Sequence, residues 1–497
     1  MPFKTTIGLE IHVQLKTKSK MFCGCSNMSE NENGKEPNTR VCPVCMGFPG
    51  TLPVANIEAI KKTIMTGLAL NCEIPNESKF DRKHYFYPDL PKNFQISQYD
   101  EPFARLGELQ ILDPDSSKSK KIGINRVHLE EDAGKLVHPE GAEYSLVDMN
   151  RCGTPLMEIV TEPDIDSPEL AKKFLKELRL IVRYLDVSNA DMERGQLRCD
   201  ANISIQRKSE IRNPKSETNS KSKKPNSKTV TSPIIEIKNM NSFRAVERAL
   251  KYEEERLRED FDDEIGDMNK KTRAWIEKQG VTKPMRVKEE ASDYRYFPEP
   301  DIPPVLIDKK IKDEHGIMIH LIDIKRRMPE LPQAKRERYK LLGLKEKAIE
   351  SLVNKIGYSN YFDEVVEAGG EPQKVYDYMV NEKLGTKIKI KHMVEAFKLL
   401  NSGEISNKIL KSILPEMIES GKSAKELIGE KGLKQVSNAE DLKNIIKEVI
   451  KENPKPVSDY KGGKEQTFGF LVGQVMQKTK GQANPALTNK LLRDMLK

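Results

Sequence analysis

Residues 7–14, Ile-Gly-Leu-Glu-Ile-His-Val-Gln, alternate strictly between apolar and other side chains. Because successive side chains of a strand point to opposite faces, Gly8, Glu10, His12 and Gln14 share the face that is not apolar. A carboxylate and an imidazole therefore lie side by side, and an isolated buried carboxylate is costly. The pattern predicts either a strand that delivers two ligands to a metal or reacting centre, or an edge strand with its polar face in water.

Two later stretches carry carboxylates within strand-like sequence. Glu158 lies alone in the run Leu-Met-Glu-Ile-Val, and residues 127–135 read Val-His-Leu-Glu-Glu-Asp-Ala-Gly-Lys. A carboxylate in an apolar run belongs either to a salt bridge inside the sheet or to a site. We interpret Glu10, His12, Glu131 and Glu158 as a site for Mg²⁺, which prefers oxygen ligands and keeps waters for substrate phosphates. Histidine is an unusual ligand of Mg²⁺, so Mn²⁺ is an alternative.

Four of the seven cysteines form two pairs, Cys23-Gly24-Cys25 and Cys42-Pro43-Val44-Cys45. A Cys-x-x-Cys turn lets two thiolates reach one tetrahedral ion, and the other pair completes four ligands. An all-sulfur set favours Zn²⁺, while a redox pair and incidental cysteines are the alternatives. Because four sulfurs leave no open coordination position, we predict a folding role for this site and no chemistry.

Basic and aromatic residues mix in the proline-containing stretch 79–99, which is typical of a surface loop, of a site for phosphate groups or of a charged passage. We take Lys79, Arg82, Asp200 and Asn202 as secondary candidates for contacts with substrate or nucleotide. No Gly-x-x-x-x-Gly-Lys-Ser/Thr sequence occurs, so any nucleotide is not held by a P-loop.

The net charge of +8 is unevenly distributed along the 497 residues. Residues 206–229 have a net charge of +6 and residues 461–497 one of +5, which leaves the rest of the chain at −3. This distribution suggests an acidic partner that is met at defined places, although we favour a solvated loop for residues 206–229.

Composition and sequence patterns indicate where in the cell the protein is expected and how the chain divides into domains. No apolar run of about 18 residues exists, so we expect no membrane span. A strand begins within six residues, which leaves no room for a signal peptide, and we expect a cytoplasmic protein with reduced thiols. Residues 1–300 mix strands and helices, and helical patterns dominate afterwards. We predict an α+β fold with domains at 1–300, 301–420 and 421–497.

Six motifs together resemble one known family. They are residues 7–13 (Ile-Gly-Leu-Glu-Ile-His-Val), 78–83 (Ser-Lys-Phe-Asp-Arg-Lys), 130–135 (Glu-Glu-Asp-Ala-Gly-Lys), 198–204 (Arg-Cys-Asp-Ala-Asn-Ile-Ser), 293–301 (Asp-Tyr-Arg-Tyr-Phe-Pro-Glu-Pro-Asp) and 481–485 (Gly-Gln-Ala-Asn-Pro). From end to end, the chain resembles the B subunits of aspartyl/glutamyl-tRNA(Asn/Gln) amidotransferases.

The resemblance implies a fold, a reaction and partners. The fold would be a cradle-like kinase domain on an antiparallel sheet, a helical domain and a helical tail that contacts tRNA. The protein would use ATP and Mg²⁺ to phosphorylate the side-chain carboxylate of Asp on tRNA(Asn) or Glu on tRNA(Gln). Ammonia from glutamine, released in the amidase or glutaminase partner (the A subunit), would then give the amide. The small C subunit would hold the pair together.

The resemblance also assigns residues. It implies Mg²⁺ ligands at Glu10, His12, Glu131 and Glu158, an ammonia passage lined by Lys83 and Lys92 with Glu131, and a structural Zn²⁺ site at the four paired cysteines. The basic loop 206–229 departs from the family by its length. The rival interpretations are an RNA-binding scaffold with a structural acidic face and a conventional kinase, against which the missing P-loop counts.

Overall fold

A computed structural model describes residues 3–27, 36–112, 119–210, 227–264, 269–285, 294–308, 316–382, 384–433, 439–479, 483 and 485–496. The chain divides into two compact units, Met1–Leu331 and Pro332–Lys497. The described residues of the first unit form strands and helices, and those of the second form helices. The predicted order, an α+β domain followed by an all-α region, is confirmed.

The strands of the first unit have the following bounds: β1 Lys4–Gln14, β2 Glu77–Ser78, β3 Asp81–His84, β4 Phe94–Ser97, β5 Ala104–Leu112, β6 Ser119–Glu131, β7 Lys135–Val137, β8 Leu146–Asp148, β9 Pro155–Thr161, β10 Leu197–Glu210, β11 Ser227–Thr231, β12 Ile235–Lys238, β13 Lys271–Ile276, β14 Val281–Pro284, β15 Phe297–Pro298, β16 Val305–Ile307 and β17 Ile317–Ile319. Nine of them form one sheet in the order β14-β13-β12-β10-β1-β9-β6-β5, with β11 paired to β10. Neighbours in this sheet are antiparallel except β12 and β13.

Strand β1 lies in the middle of this sheet, between β10 and β9. Its apolar residues Ile7, Leu9, Ile11 and Val13 are each at most 1% exposed, as strict alternation predicts for a strand with one core face. Matching residues of the neighbouring strands join the same hydrophobic core. The opposite face carries the polar residues and therefore positions the candidate site.

The helices of the first unit are α1 Ile57–Ala69, α2 Pro168–Tyr184, α3 Phe243–Glu259, α4 Phe261–Glu264 and α5 Leu321–Arg327. Asn56 caps α1 by accepting the backbone N–H groups of Glu58 and Ala59. Ser167 caps α2, which has a proline at its first position, and Ser242 caps α3. These starts agree with the sequence signals, and all three helices contact strands of the main sheet.

The first unit extends to Leu331, beyond the predicted end at residue 300. Strand β16 pairs antiparallel with β2 and parallel with β17, and Val305 and Ile319 are buried in the core of this unit. Strands β16 and β17 therefore lie beyond residue 300, where the sequence shows mainly helical patterns. A three-residue strand is too short to show alternation in sequence.

The predicted basic loop 206–229 proves to be partly strand. Residues Gln206–Glu210 of β10 pair with β11, and β12 also pairs with β10, as a long hairpin connection requires. Residues 211–226 lie outside the described part of the chain. The chain therefore returns alongside β10 after this segment.

The helices of the second unit are α6 Pro332–Leu341, α7 Glu346–Val353, α8 Ile356–Glu367, α9 Pro372–Val380, α10 Ile390–Asn401, α11 Asn407–Ser420, α12 Ala424–Lys431, α13 Ala439–Glu452, α14 Pro454–Lys461, α15 Gln466–Lys478 and α16 Pro485–Leu496. Helix α12 packs against α10 and α11, whereas α13, α15 and α16 share a separate core around Ile446, Leu471 and Leu492. A helical tail at residues 421–497, separate from the helical domain at 301–420, stays a prediction. Among the described residues, no helix is long and apolar enough to cross a membrane.

Candidate active site

Three adjacent strands bring their polar side chains together on one face of the main sheet. His12 of β1 lies opposite Glu158 of β9, and Glu158 lies opposite His128 of β6. The Nε2 atom of His12 is 3.2 Å from Glu158 Oε2, and the Nε2 atom of His128 is 3.3 Å from the same oxygen. Glu10 completes the row on β1, with Oε1 3.9 Å from His12 Nε2. The structure thus brings together three of the predicted site residues, Glu10, His12 and Glu158.

Glu130 joins these residues although the sequence interpretation did not select it. Its carboxylate is 3.8 Å from His12 Nε2 and also 3.8 Å from His128 Nε2. Alternation within residues 127–131 already places His128 and Glu130 on one face and Glu131 on the other, and this signal was available in the sequence. We call Glu10, His12, His128, Glu130 and Glu158 the carboxylate cluster.

Charge and burial oppose each other within the carboxylate cluster. Burial favours the neutral form of Glu158, yet His128 and His12 hold its pKa well below the ordinary value. Burial likewise disfavours the imidazolium of His128, but Glu158 and Glu130 raise its pKa to about 9. Burial and the charge of Glu158 raise the pKa of Glu10. The cluster therefore has more negative charge than its two imidazoles balance.

These donors fit a hard divalent cation. One ligand atom each of Glu10, His12 and Glu158 lie within 4.8 Å of one another, and the same holds for His128, Glu130 and Glu158. Carboxylate oxygens are the ligands that Mg²⁺ prefers, and the imidazole also suits Mn²⁺. Burial and the charge of Glu158 raise the pKa of Glu10, and a cation here would offset the charge of Glu158.

Glu131, the fourth residue of the predicted Mg²⁺ set, lies on the opposite face of β6. Its side chain is 2% exposed, pairs with the ammonium of Lys92 and accepts the backbone N–H of Ile96 at 3.0 Å. Its assignment to the Mg²⁺ site does not fit this geometry, because adjacent strand residues point to opposite faces. The association of Glu131 with Lys92, which the resemblance implies, agrees with the structure.

Lys83, which the resemblance assigns to the ammonia passage together with Lys92, instead faces the carboxylate cluster. Burial disfavours its charged ammonium, but Glu130, Tyr296 and Glu158 raise the pKa of Lys83 above its ordinary value. Its Nζ atom lies 4.9 Å from the centre of the Tyr294 ring, and this close approach to an aromatic face stabilises the cation further. Lys83 is therefore a fixed positive charge beside the cluster.

The four secondary candidates are already paired or half-buried. Lys79 donates to Asp81 at 2.7 Å and to Asp100 at 2.5 Å. Asp200 pairs with Lys238 on the polar face of the sheet, and Asn202 lies opposite Gly8 on that face. The fourth candidate, Arg82, forms a bidentate ion pair with Glu299, at 2.7 and 2.8 Å. A nucleotide-binding role for these residues stays a prediction.

The four paired cysteines come together as predicted. One sulfur each of Cys23, Cys25, Cys42 and Cys45 lies within 4.8 Å of the other three, which fits a tetrahedral Zn²⁺ ion. Lys20 is 1% exposed, donates to the carbonyl of Arg40 at 2.7 Å and lies 3.8 Å from Cys45 Sγ. Its positive charge offsets part of the negative charge of a thiolate set.

A cavity of about 180 Å³ separates the cysteines from β6. The cysteine turns contribute Cys23, Cys45 and Gly47 to its wall, and Lys92 and Glu131 contribute charged groups. The Arg82–Glu299 ion pair lines it as well. The cavity thus lies on the face of β6 opposite the carboxylate cluster.

Comparison with known proteins decides the family. The family profile described as the GatB/GatE catalytic domain matches residues 5–313, and the one described as the GatB domain matches residues 360–496. The B subunit of the aspartyl/glutamyl-tRNA(Asn/Gln) amidotransferase of Thermotoga maritima is 47% identical over 515 residues, which cover 100% of this chain and 99% of the relative. The chain belongs to this B-subunit family. The same subunit of Thermoanaerobacter sp. is 44% identical over 508 residues, and that of Persephonella marina 46% over 514, each with full coverage of both chains.

Membership in the B-subunit family agrees with the resemblance found in the sequence motifs. The catalytic-domain profile spans all members of the carboxylate cluster, the four cysteines and the Lys92–Glu131 pair. The second profile spans the tail from α13 to α16. Amidotransferase subunits of this kind are ligase-type enzymes of protein biosynthesis.

Proposed function

We propose that this chain activates the side-chain carboxylate of Asp on tRNA(Asn), of Glu on tRNA(Gln), or of both, within a glutamine-dependent amidotransferase. A carboxylate oxygen attacks the γ-phosphorus of ATP, and ADP leaves. Ammonia then attacks the carbonyl carbon of the acyl phosphate, inorganic phosphate leaves, and the nitrogen loses a proton. Family membership supports the reaction class, and the names of the relatives support these tRNA substrates.

The carboxylate cluster is the observation that carries this proposal. Glu10, Glu130, Glu158 and His12 would hold Mg²⁺, or Mn²⁺, which neutralises charge on a transferring phosphoryl group. Lys83 adds a fixed positive charge beside the cluster, where it can pair with the phosphoryl oxygens or the substrate carboxylate. A carboxylate is a poor electrophile until it carries a phosphoryl leaving group, so this face would perform the activation.

The opposite face of β6 supplies residues for the nitrogen. We assign the cavity next to Lys92 and Glu131 to the ammonia passage, since Glu131 can accept a proton from ammonium and leave neutral ammonia as nucleophile. The ammonia would come from the glutaminase partner, with the small third protein of the heterotrimer completing the complex. The cysteine set would hold a structural Zn²⁺ ion, and the tail would contact tRNA.

A charge-removing variant of Glu158 tests the proposal. The complex is reconstituted from this chain, the glutaminase and the small third protein, with ATP and each of the two misacylated tRNAs. Amide formation, ADP release and tRNA affinity are measured. We expect Glu158→Gln to lower amide formation by about 10²-fold or more, while tRNA affinity stays within about twofold, because the lost charge acts on phosphoryl transfer.

Glu236→Gln is the matched control, since Glu236 lies on the same polar face but pairs with Lys270 at 2.9 Å and with Lys238 at 3.5 Å rather than with a member of the cluster. Reactions without ATP set the background. Amide formation by Glu158→Gln at the wild-type rate would refute the enzyme proposal and favour an RNA-binding scaffold.

A further inference from the structure

The two cysteine turns form a wall of the chamber that holds Lys92. Phe22, directly before Cys23, has its ring centre 5.9 Å from Lys92 Nζ. Gly47, two residues after Cys45, lies against the aliphatic part of the same lysine: a Cβ atom added at Gly47 would lie 2.4 Å from Lys92 Cγ and 3.1 Å from Lys92 Cα. Each of the two cysteine pairs therefore has a neighbouring residue, Phe22 or Gly47, that contacts Lys92.

The turn that gathers the sulfurs also fixes Gly47. The backbone N–H of Met46 donates to the carbonyl of Cys42 at 3.0 Å, and that of Gly47 to the carbonyl of Val44 at 3.1 Å. Gly47 has a φ of +68°, a left-handed conformation that glycine adopts without strain. The position of Gly47 is thus set by the same tight turn that brings Cys42 and Cys45 together.

Lys92 has little freedom within this chamber. Its side chain is 9% exposed, it pairs with the 2% exposed side chain of Glu131, and the Phe94 ring centre is 5.7 Å from its Nζ atom. A buried ion pair depends on its geometry, because removing one partner leaves an uncompensated charge. Displacement of the wall would therefore break the alignment of Lys92 with Glu131.

We infer that the cysteine turns are a positioning element for Lys92, so that a metal ion on the four sulfurs supports amide formation as well as folding. This inference rests on the proposed function, because it concerns the role of Lys92 and Glu131 in the ammonia passage. It extends the folding role expected from the sequence. The carboxylate cluster lies on the other face of β6, so carboxylate activation should not depend on this wall.

Gly47→Ala tests the inference in the complete amidotransferase complex. Its added methyl group pushes on Lys92 while all four cysteines remain, so the zinc content should equal that of the wild type. We expect ATP-dependent carboxylate activation to be unchanged, amide formation from added ammonium to fall by about 10- to 100-fold, and acylation of Lys92 by acetic anhydride, measured by mass spectrometry, to rise several-fold.

Gly50→Ala is the matched control. Gly50 also has a left-handed conformation, with a φ of +83°, but an added Cβ atom would meet nothing within 4 Å. The Gly50→Ala variant therefore shows the effect of backbone strain alone, without a steric contact with Lys92. Wild-type amide formation and wild-type acylation of Lys92 in Gly47→Ala would overturn the inference.

Two further measurements separate the possible failures. If Lys92→Met forms amide at the wild-type rate, the proposed passage itself is wrong; if Lys92→Met is inactive while Gly47→Ala is normal, only the positioning inference is wrong. Should Gly47→Ala fail to fold, zinc is chelated from the wild-type complex instead. Increased acylation of Lys92 with carboxylate activation retained supports the inference, and unchanged acylation overturns it.

Discussion

Glu130 and Glu131 are neighbours in sequence with different surroundings. Because they end strand β6, Glu130 joins the carboxylate cluster on one face and Glu131 pairs with Lys92 on the other. The two side chains therefore lie on opposite sides of one strand, the first where we propose carboxylate activation and the second where we propose ammonia transfer.

Isosteric substitution of each residue should separate the two steps. We expect Glu130→Gln to abolish ATP-dependent carboxylate activation and with it amide formation, because a charge is lost from the proposed cation site. Glu131→Gln should retain activation and lose amide formation. Activation is measured as ADP release that depends on misacylated tRNA, and amide formation by chromatography of the released amino acid.

The two variants serve as controls for each other, since both replace a buried carboxylate on the same strand. Equal loss of activation in both variants would contradict the division of roles between the faces of β6.

The Arg82–Glu299 pair should be important for stability. The Glu299 side chain is fully buried and Arg82 is its bidentate partner, so Arg82→Met leaves an unpaired buried carboxylate. We expect a loss of about 3–5 kcal/mol in the free energy of unfolding, measured by urea denaturation. Lys16→Met, which breaks the exposed pair with Asp186, should cost about 0–1 kcal/mol. Similar losses in both variants would contradict this reasoning.

Helices α6 and α8 are joined by a charged contact whose effect depends on pH. Asp363 accepts from Lys335 at 2.8 Å and Arg338 at 2.9 Å. Burial opposes ionisation, but these partners hold the pKa of Asp363 below its ordinary value. A depressed pKa in the folded state gives stability above the unfolded pKa of about 4, and this stability is lost as the pH falls through the folded pKa.

Asp363→Asn should therefore destabilise the protein at pH 7 by about 1–3 kcal/mol. The difference from the wild type should shrink as the pH falls below about 4. Denaturant titrations of both proteins across this range measure it. A difference that stays constant or grows at low pH would show that the ion pairs do not stabilise the folded state.

Elements with regular patterns were predictable from sequence, and their pairing partners were less so. The alternation in β1 predicts its core face, and the capping residues Ser167 and Ser242 predict the starts of α2 and α3. The two-residue strand β2 and the three-residue strands β16 and β17 show no periodicity, so the end of the first unit was placed too early. Tertiary contacts, which local patterns do not encode, decide these short strands.

The residue types of the site were predictable from the sequence, but their arrangement on the sheet was less so. Glu10, His12 and Glu158 lie on paired neighbouring strands, but only the register shows that His128, and not Glu131, faces Glu158. The motif resemblance identified the residues but did not show on which face of the sheet each side chain lies. The alternation rule, applied strictly to residues 127–131, would have selected Glu130.

At the scale of the whole chain, the tail is distinguished by its own hydrophobic core and by its charge. Helices α13, α15 and α16 have their own core, and residues 434–497 have a net charge of +5. Removing these residues should weaken tRNA binding and make the dependence of log K on log salt shallower, by about 0.9 for each phosphate that the tail neutralises. Binding isotherms at several salt concentrations measure both effects.

Carboxylate activation at saturating tRNA is the control for that truncation, because the carboxylate cluster lies wholly in the first unit. An unchanged salt slope after truncation would place the tRNA-binding residues elsewhere in the chain.

The central position of β1 affects the order in which the protein is made. Ile7 pairs with Ile203 of β10, and Ile11 with Ile159 of β9, so the first strand leaves the ribosome long before either neighbour. At about 5–20 residues per second, synthesis of the roughly two hundred residues up to β10 takes about 10–40 seconds. Until β9 has been made, β1 has no neighbouring strand to pair with, and until β10 follows, one edge of β1 stays open, which exposes the nascent chain to aggregation.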